Sequence, residues 1–178
     1  MALRHRIQGI EMNVTVGILM GSASDLPVMQ SVGDVLDELG IGWEMRILSA
    51  HRTPDEVHEY ATTAPQRGLK ILIAGAGMSA ALSGVLAGNC NLPVIGVPLG
   101  ANLASGLDAV YATLQMPPGI PVAAVAVGKA GAKNAAWLAA RILALFDSDV
   151  AIRLAEKREE MRVKVLQTDA DLQTRLRR

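Results

Sequence analysis

The chain has 178 residues, of which 51% are hydrophobic and only 3% aromatic, and its 17 basic residues balance its 17 acidic ones. This length predicts one domain with a full core of small aliphatic side chains, and the charge balance argues against nucleic acid or an anionic membrane as a partner. Every apolar run is interrupted within about 18 residues, which argues against a membrane span.

The single cysteine, Cys90, predicts no internal disulfide, and without a cluster of histidines and cysteines no zinc site is expected. The first ten residues are basic but lack an apolar core, so they do not resemble a secretory signal, and Met12 is an alternative start. We therefore expect a cytoplasmic protein.

Short apolar runs rich in β-branched residues alternate with segments of helical periodicity. Strands are predicted at residues 14–20, 43–48, 70–74, 93–98 and 121–127. Helices are predicted at 25–39, 54–66, 80–88, 105–116, 133–146 and 149–167, with turns at 75–79 and 128–131 and a frayed tail after 167. The alternation predicts an α/β, doubly wound, flavodoxin-like parallel sheet of five strands in the order 2-1-3-4-5, with helices on both faces.

The predicted elements divide the chain into three parts. Residues 1–13 are predicted to form an amino-terminal extension, and residues 14–147 the main domain, which carries the candidate site. Residues 148–178 form a carboxy-terminal helix and tail that belong to the same domain or to an oligomer interface.

Ligands of open α/β sheets bind outside the carboxyl ends of the strands, where three loops carry suitable groups. The first loop, Gly21-Ser-Ala-Ser-Asp25, offers hydroxyls and backbone N–H groups for a phosphate and a carboxylate for ribose hydroxyls. The third loop, Gly75-Ala-Gly-Met-Ser79, lets the backbone approach a flat ring. An ordinary helix cap and a tight turn are the alternative interpretations.

The second loop, Ser49-Ala-His-Arg-Thr-Pro54, holds an imidazole for proton transfer beside a guanidinium for a phosphate. Thr53-x-x-Glu56 predicts a capping box with Pro54 in the first helical position, so His51 and Arg52 lie at a helix end that attracts anions. The alternative is a capped helix with two exposed polar residues. His58, on the following helix, is expected at the surface.

Several common sites are excluded. No G-x-G-x-x-G follows the first strand, and no G-K-[ST] of a Walker loop is present.

A further capping pattern, Ser105-Gly-Leu-Asp108, is expected to open a helix.

The chain resembles the PurE family, which comprises 5-(carboxyamino)imidazole ribonucleotide mutase and aminoimidazole ribonucleotide carboxylase. The resemblance covers residues 14–146. It rests on Gly-Ser-x-Ser-Asp after the first strand, Ser-Ala-His-Arg-Thr-Pro after the second, Gln115-Met-Pro-x-Gly119, Leu103-x-x-Gly106-x-Asp108 and Lys133-Asn-Ala-Ala136.

The resemblance implies purine biosynthesis, an aminoimidazole ribonucleotide substrate, a homo-octamer, and neither a metal nor an organic cofactor. Ser22 and Arg52 would hold the phosphate, Asp25 the ribose with Ser24 near by, and His51 would move a proton on and off the ring carbon that gains the carboxyl group. The predicted site thus has His51 as its catalytic residue, and its substrate-binding residues are Gly21, Ser22, Ser24, Asp25, Ser49, Ala50, Arg52, Gly77, Met78, Ser79, Ala81 and Leu82.

One departure bears on the carboxyl donor. Where the mutases usually carry Ala-Ala-His-Leu-Pro-Gly, this chain has Ser79-Ala-Ala-Leu-Ser-Gly84, so Ala81 replaces the histidine and Ser83 the proline. This loop looks like that of the carboxylases, and it favours direct carboxylation with free CO2, with the mutase reaction as the alternative. A paralogue acting on another nucleotide and a non-catalytic nucleotide-binding module are further alternatives.

Overall fold

The computed structural model describes residues 4–7, 10–100 and 104–177. Within them the strands are β1 Arg4–Ile7, β2 Ile10–Met20, β3 Gly42–Ile47, β4 Ile71–Gly77, β5 Val94–Leu99 and β6 Ala123–Ala124. The helices are α1 Leu26–Glu38, α2 Pro54–Thr63, α3 Leu82–Asn89, α4 Leu107–Leu114, α5 Gly128–Leu143 and α6 Ser148–Leu176, with 3-10 turns at Ala23–Asp25 and Ala104–Gly106.

Five strands form a parallel sheet in the order β3-β2-β4-β5-β6. This is the predicted order 2-1-3-4-5, and the flavodoxin-like fold class is confirmed. Because every connection between these strands is helical, all their carboxyl ends open on one edge of the sheet.

Both faces of the sheet are buried. In β2, Val16, Ile18 and Met20 pack into a core with residues of α1 and α5, whereas Leu19 packs on the opposite face with residues of α2 and α3. A central parallel strand is covered on both faces, which is why β2 is an almost continuous apolar run.

An antiparallel hairpin was not predicted. β1 pairs with the first part of β2, from Arg4 opposite Asn13 to Ile7 opposite Ile10, so β2 begins at Ile10, whereas its parallel pairing begins at Val14, the predicted start of the strand. The pairing is made by the backbone, and residues 4–7 carry no apolar run that would signal it. The division into extension, main domain and tail stays a prediction.

The predicted turn at 75–79 is wrong in its first half, because β4 continues to Gly77. Gly75 pairs with Met20 on one side and Val97 on the other, so the strand is held from both sides. A Cβ at Gly75 would overlap with the sulfur of Met29, which explains a glycine inside a strand.

The carboxy-terminal third also differs from the prediction. β6 is only two residues long, and α5 begins at Gly128, so residues 128–131 are helical rather than a turn. A Cβ at Gly131 would collide with the carbonyl oxygen of Ala126, so the helix start packs directly on the preceding chain. α6 runs to Leu176, and the expectation of a frayed tail after residue 167 is wrong.

Two predicted capping patterns are wrong. Ser105 lies in the left-handed region with φ 54°, and α4 is preceded by Gly106 without a side-chain cap. Thr53 precedes α2 but makes no side-chain cap, although Pro54 does occupy the first helical turn. Leu103, part of the family resemblance, lies outside the described residues.

Candidate active site

A polar cleft of about 550 Å³ opens at the carboxyl ends of the parallel strands. Loops after β2, β3, β4 and β5 build it, as expected for a doubly wound sheet. Every predicted site residue lines this cleft: Gly21, Ser22, Ser24, Asp25, Ser49, Ala50, His51, Arg52, Gly77, Met78, Ser79, Ala81 and Leu82. Their individual roles stay predictions.

The first loop is held by its own hydroxyls. The Ser22 Oγ accepts from the Ser24 N–H at 3.3 Å and from the Ser24 hydroxyl at 2.9 Å. A local helix cap, the alternative interpretation of this loop, is therefore present, and the same residues also line the cleft. Burial raises the pKa of Asp25, while polar groups of Ser22 and Ser24 and the charge of Arg52 act in the opposite direction.

The second loop is a closed turn. The Thr53 N–H donates to the Ser49 carbonyl at 2.8 Å, and the Ser49 N–H donates to the Thr53 Oγ1 at 2.8 Å. The Thr53 hydroxyl also donates to the Ser49 carbonyl at 3.1 Å, so it is engaged away from the helix it was expected to cap. This turn exposes His51, which makes no hydrogen bond with the residues that the structure describes.

Arg52 joins two loops of the cleft. Its Nη2 donates to the Gly21 carbonyl at 2.6 Å, and its backbone N–H and Nε donate to the Ser49 Oγ at 3.3 and 3.4 Å. Since a guanidinium carries five N–H donors, the group keeps donors for an anion in the cleft.

The third loop has an unusual backbone. Met78 and Ala80 are non-glycine residues with positive φ angles, 56° and 35°, and the Ala80 N–H donates to the Gly77 carbonyl at 3.0 Å. Such conformations cost free energy and concentrate at functional sites. Ala81 precedes α3 without a side-chain cap, so at this position the cleft has backbone groups but no polar side chain.

Four lining residues were not predicted. They are Ala76 in β4, Ala80 in the loop after it, Leu99 at the end of β5 and Gly100 directly after that strand. The rule that ligands bind at the carboxyl ends of parallel strands would have indicated Leu99 and Gly100. They were not predicted because neither residue carries a polar side chain that would suggest a binding role.

Other groups lie outside the cleft. His58 is exposed, as expected, and its Nδ1 lies 2.7 Å from the Asn89 Oδ1, joining α2 to α3. The described residues contain no group of three or more His, Cys, Asp or Glu that could hold a metal ion. Nor does any helix among them have the length and apolarity to cross a membrane.

A flavodoxin-like sheet with hydroxyls, a carboxylate, an imidazole and a guanidinium gathered in one cleft at its carboxyl edge is typical of an enzyme that acts on a small molecule. The model of the AIR carboxylase family matches residues 15–164, and the chain belongs to this family of purine biosynthesis.

Relatives and a solved structure agree with this assignment. N5-carboxyaminoimidazole ribonucleotide mutase of Bacillus subtilis is 49% identical over 161 residues, covering 90% of this chain and 99% of the relative. The protein of the same name from Pyrococcus abyssi is 50% identical over 147 residues, covering 83% of each. The crystal structure of Treponema denticola PurE has a TM-score of 0.81 at 34% identity, covering 90% of this chain and 99% of that one.

Proposed function

We propose that this chain converts N5-carboxyaminoimidazole ribonucleotide into 4-carboxy-5-aminoimidazole ribonucleotide. The observation that carries the proposal is the near-complete, 49% identical match to a relative with the mutase name. This favours the mutase reaction, which was the alternative on sequence grounds, over direct carboxylation.

The cleft supports the binding of such a nucleotide. Ser22 and the remaining donors of Arg52 suit the phosphate, because a guanidinium and a hydroxyl both donate to its oxygens. Asp25 suits the ribose hydroxyls as an acceptor, with Ser24 beside it. The apolar side chains of Leu82 and Leu99, which also line the cleft, suit the flat aminoimidazole ring.

His51 is the proposed proton carrier. In the mutase reaction the carboxyl group leaves the exocyclic nitrogen and joins a ring carbon. The nitrogen gains one proton and the carbon loses one, so a single imidazole can return to its starting state in each turnover. His51 suits this role because it is exposed and supplies the only imidazole that lines the cleft within the described part of the chain.

Direct carboxylation is the second candidate, favoured by the third loop. Ala81 offers no side-chain donor to a migrating carboxyl group, which leaves backbone N–H groups and the Ser79 hydroxyl to hold released CO2. Free CO2 would then add to the ring carbon, whose proton would leave through His51 to solvent. A site that draws on dissolved CO2 needs fewer preorganised donors than one that retains its own.

Isotope exchange separates the two reactions. The carboxyamino nucleotide is supplied unlabelled in excess labelled bicarbonate, and aminoimidazole ribonucleotide is supplied with bicarbonate but no ATP. We expect fast product formation from the carboxyamino nucleotide without incorporation of label. Labelled product, together with fast turnover of aminoimidazole ribonucleotide, would assign direct carboxylation instead. Absence of turnover in both assays would indicate a non-catalytic nucleotide-binding module.

We also propose that the chain forms an octamer, as the family resemblance implies. Val150 at the start of α6 is buried and Leu154 packs on the core, and the same helical face continues outward with exposed Met161, Val165 and Leu172.

A further inference from the structure

The first two loops of the cleft separate at the ends of their strands. The Leu48 N–H donates to the Met20 carbonyl at 2.9 Å, and this is the last backbone hydrogen bond between the two chain segments. Beyond it, among the residues that the structure describes, one hydrogen bond joins residues 21–25 to residues 49–53. It is the bond from the Arg52 Nη2 to the Gly21 carbonyl, at 2.6 Å.

The two ends of this bond differ in how firmly they are held. On one side, the closed Ser49–Thr53 turn fixes the backbone of Arg52, and the Ser49 Oγ accepts from both its N–H and its Nε. On the other side, Ser22 and Ser24 bond mainly to each other, so their own contacts do not set the position of the first loop relative to the second.

We infer that Arg52 is a positioning residue for the ribose-binding side of the cleft, in addition to any contact with phosphate. By holding the Gly21 carbonyl, it sets the distance between the first loop, with Ser24 and Asp25, and the second loop, with His51. Its planar fork can hold the carbonyl on one edge and present the other edge to an anion, which a lysine ammonium cannot do. This role rests on the proposed function for the identity of the ligand.

Arg52→Lys should therefore have a distinctive phenotype. If Arg52 only contacted phosphate, the loss of its bidentate fork in lysine would weaken ligands that carry phosphate and leave others unchanged. If Arg52 positions the first loop, lysine weakens a phosphate-free ligand as well, by about tenfold, the effect of losing one hydrogen bond to a charged group.

The test uses two stable analogues, aminoimidazole carboxamide ribonucleotide and its riboside without phosphate, as inhibitors of the wild type and of Arg52→Lys. Amide hydrogen exchange of residues 21–25 is measured in the ligand-free proteins. Arg141→Lys, at an exposed arginine on α5, is the matched control.

We expect Arg52→Lys to weaken both analogues and to accelerate exchange in residues 21–25, while Arg141→Lys changes neither. Loss of affinity for the ribonucleotide alone, or unchanged exchange in the first loop, would overturn the inference. The exchange measurement involves no ligand, so it remains decisive even if the protein turns over neither substrate of the isotope experiment.

Discussion

His51 is the side chain on which the proposed chemistry depends. We expect His51→Asn to preserve the fold and nucleotide binding, because the exposed imidazole has no hydrogen-bond partner among the described residues. Turnover should fall by roughly 10²- to 10⁴-fold, the usual contribution of a general acid–base group. Steady-state kinetics with a nucleotide-binding assay checks this, and a variant that keeps more than about a tenth of the activity would remove His51 from the proposed role.

Partial burial of the charged Asp25 carboxylate in the cleft lowers the stability of the folded protein. Burial raises the pKa of its carboxyl group in the folded protein, so the folded state holds the proton more tightly than the unfolded state does. The penalty is therefore fully present above the folded pKa, shrinks as the pH falls below it, and is absent below the pKa of the unfolded state.

We predict that Asp25→Asn raises the melting temperature of the ligand-free protein at pH 7 but not below about pH 4, where an ordinary carboxyl group is protonated. The gain should be below about 1 kcal/mol, because solvent screens the partly exposed group. Nucleotide affinity should fall in the same variant. Asp55→Asn is the contrast: it removes a carboxylate from the first turn of α2 and should lower stability slightly at pH 7. Equal shifts of the melting temperature in Asp25→Asn and Asp55→Asn would contradict the proposed cost of the buried Asp25 carboxylate.

The β3–α2 unit, which carries the second loop, is fastened by a buried polar cluster. The Tyr60 hydroxyl donates to the Glu44 carboxylate at 2.6 Å, and Arg67 pairs with the same carboxylate and stacks on the Tyr60 ring at 4.3 Å. Burial and the neighbouring Glu44 raise the pKa of Tyr60 well above its usual value, so the hydroxyl stays a donor. A Cβ at Gly17 would overlap with this hydroxyl, so the central strand leaves room for the cluster.

We predict that Arg67→Met destabilises the protein by about 3 kcal/mol, because it leaves the buried Glu44 carboxylate without its cation. Adding Glu44→Leu and Tyr60→Phe should recover most of this loss, since well-packed apolar residues can replace a buried ion pair. Urea unfolding measures both. Arg46→Met, at an exposed position on the same strand, should change stability by no more than about 0.5 kcal/mol. A loss as large for Arg46→Met would show that the cluster has no special role.

At the level of the assembly, α6 extends beyond the domain that anchors it. The Arg153 Nε donates to the Leu39 carbonyl at 2.6 Å and fixes the start of the helix. From Arg158 to Arg177 every residue is exposed, a length of about 30 Å. Most helical stability in proteins comes from the packing of an apolar face, so we expect a neighbouring copy to cover this face of α6.

We predict that Val165→Glu with Leu172→Glu converts the proposed octamer into smaller species, because both charges fall on the face continuous with the buried start of α6. Val163→Glu is the matched control, since Val163 is also half-exposed but lies on a different face of the helix. Sedimentation at micromolar concentration measures the outcome. A wild type that sediments as a monomer or dimer would refute the octamer, and an intact octamer in the double variant would remove α6 from its interface.

The local pattern of the sequence was sufficient to place the cleft. Apolar runs with β-branched residues located β2 to β5, and the rule for carboxyl strand ends brought the loops containing Ser22, His51 and Met78 to one edge. The residue pattern did not single out Leu99 or Gly100, although both lie at the carboxyl end of a strand, because apolar residues there look the same whether or not a ligand contacts them.

The amino-acid sequence alone thus determined the strand order, the helical layers and the edge of the sheet at which the cleft lies, because hydrophobic periodicity and the handedness of crossovers are local and general rules. Only the tertiary structure decided the length of β4 and β6, the partner of the Thr53 hydroxyl and the bond from Arg52 to the Gly21 carbonyl. The two strand lengths and the Arg52 bond depend on groups that folding brings together from distant parts of the chain. The partner of the Thr53 hydroxyl depends on competition between nearby acceptors. The periodicity of a single segment encodes neither kind of information.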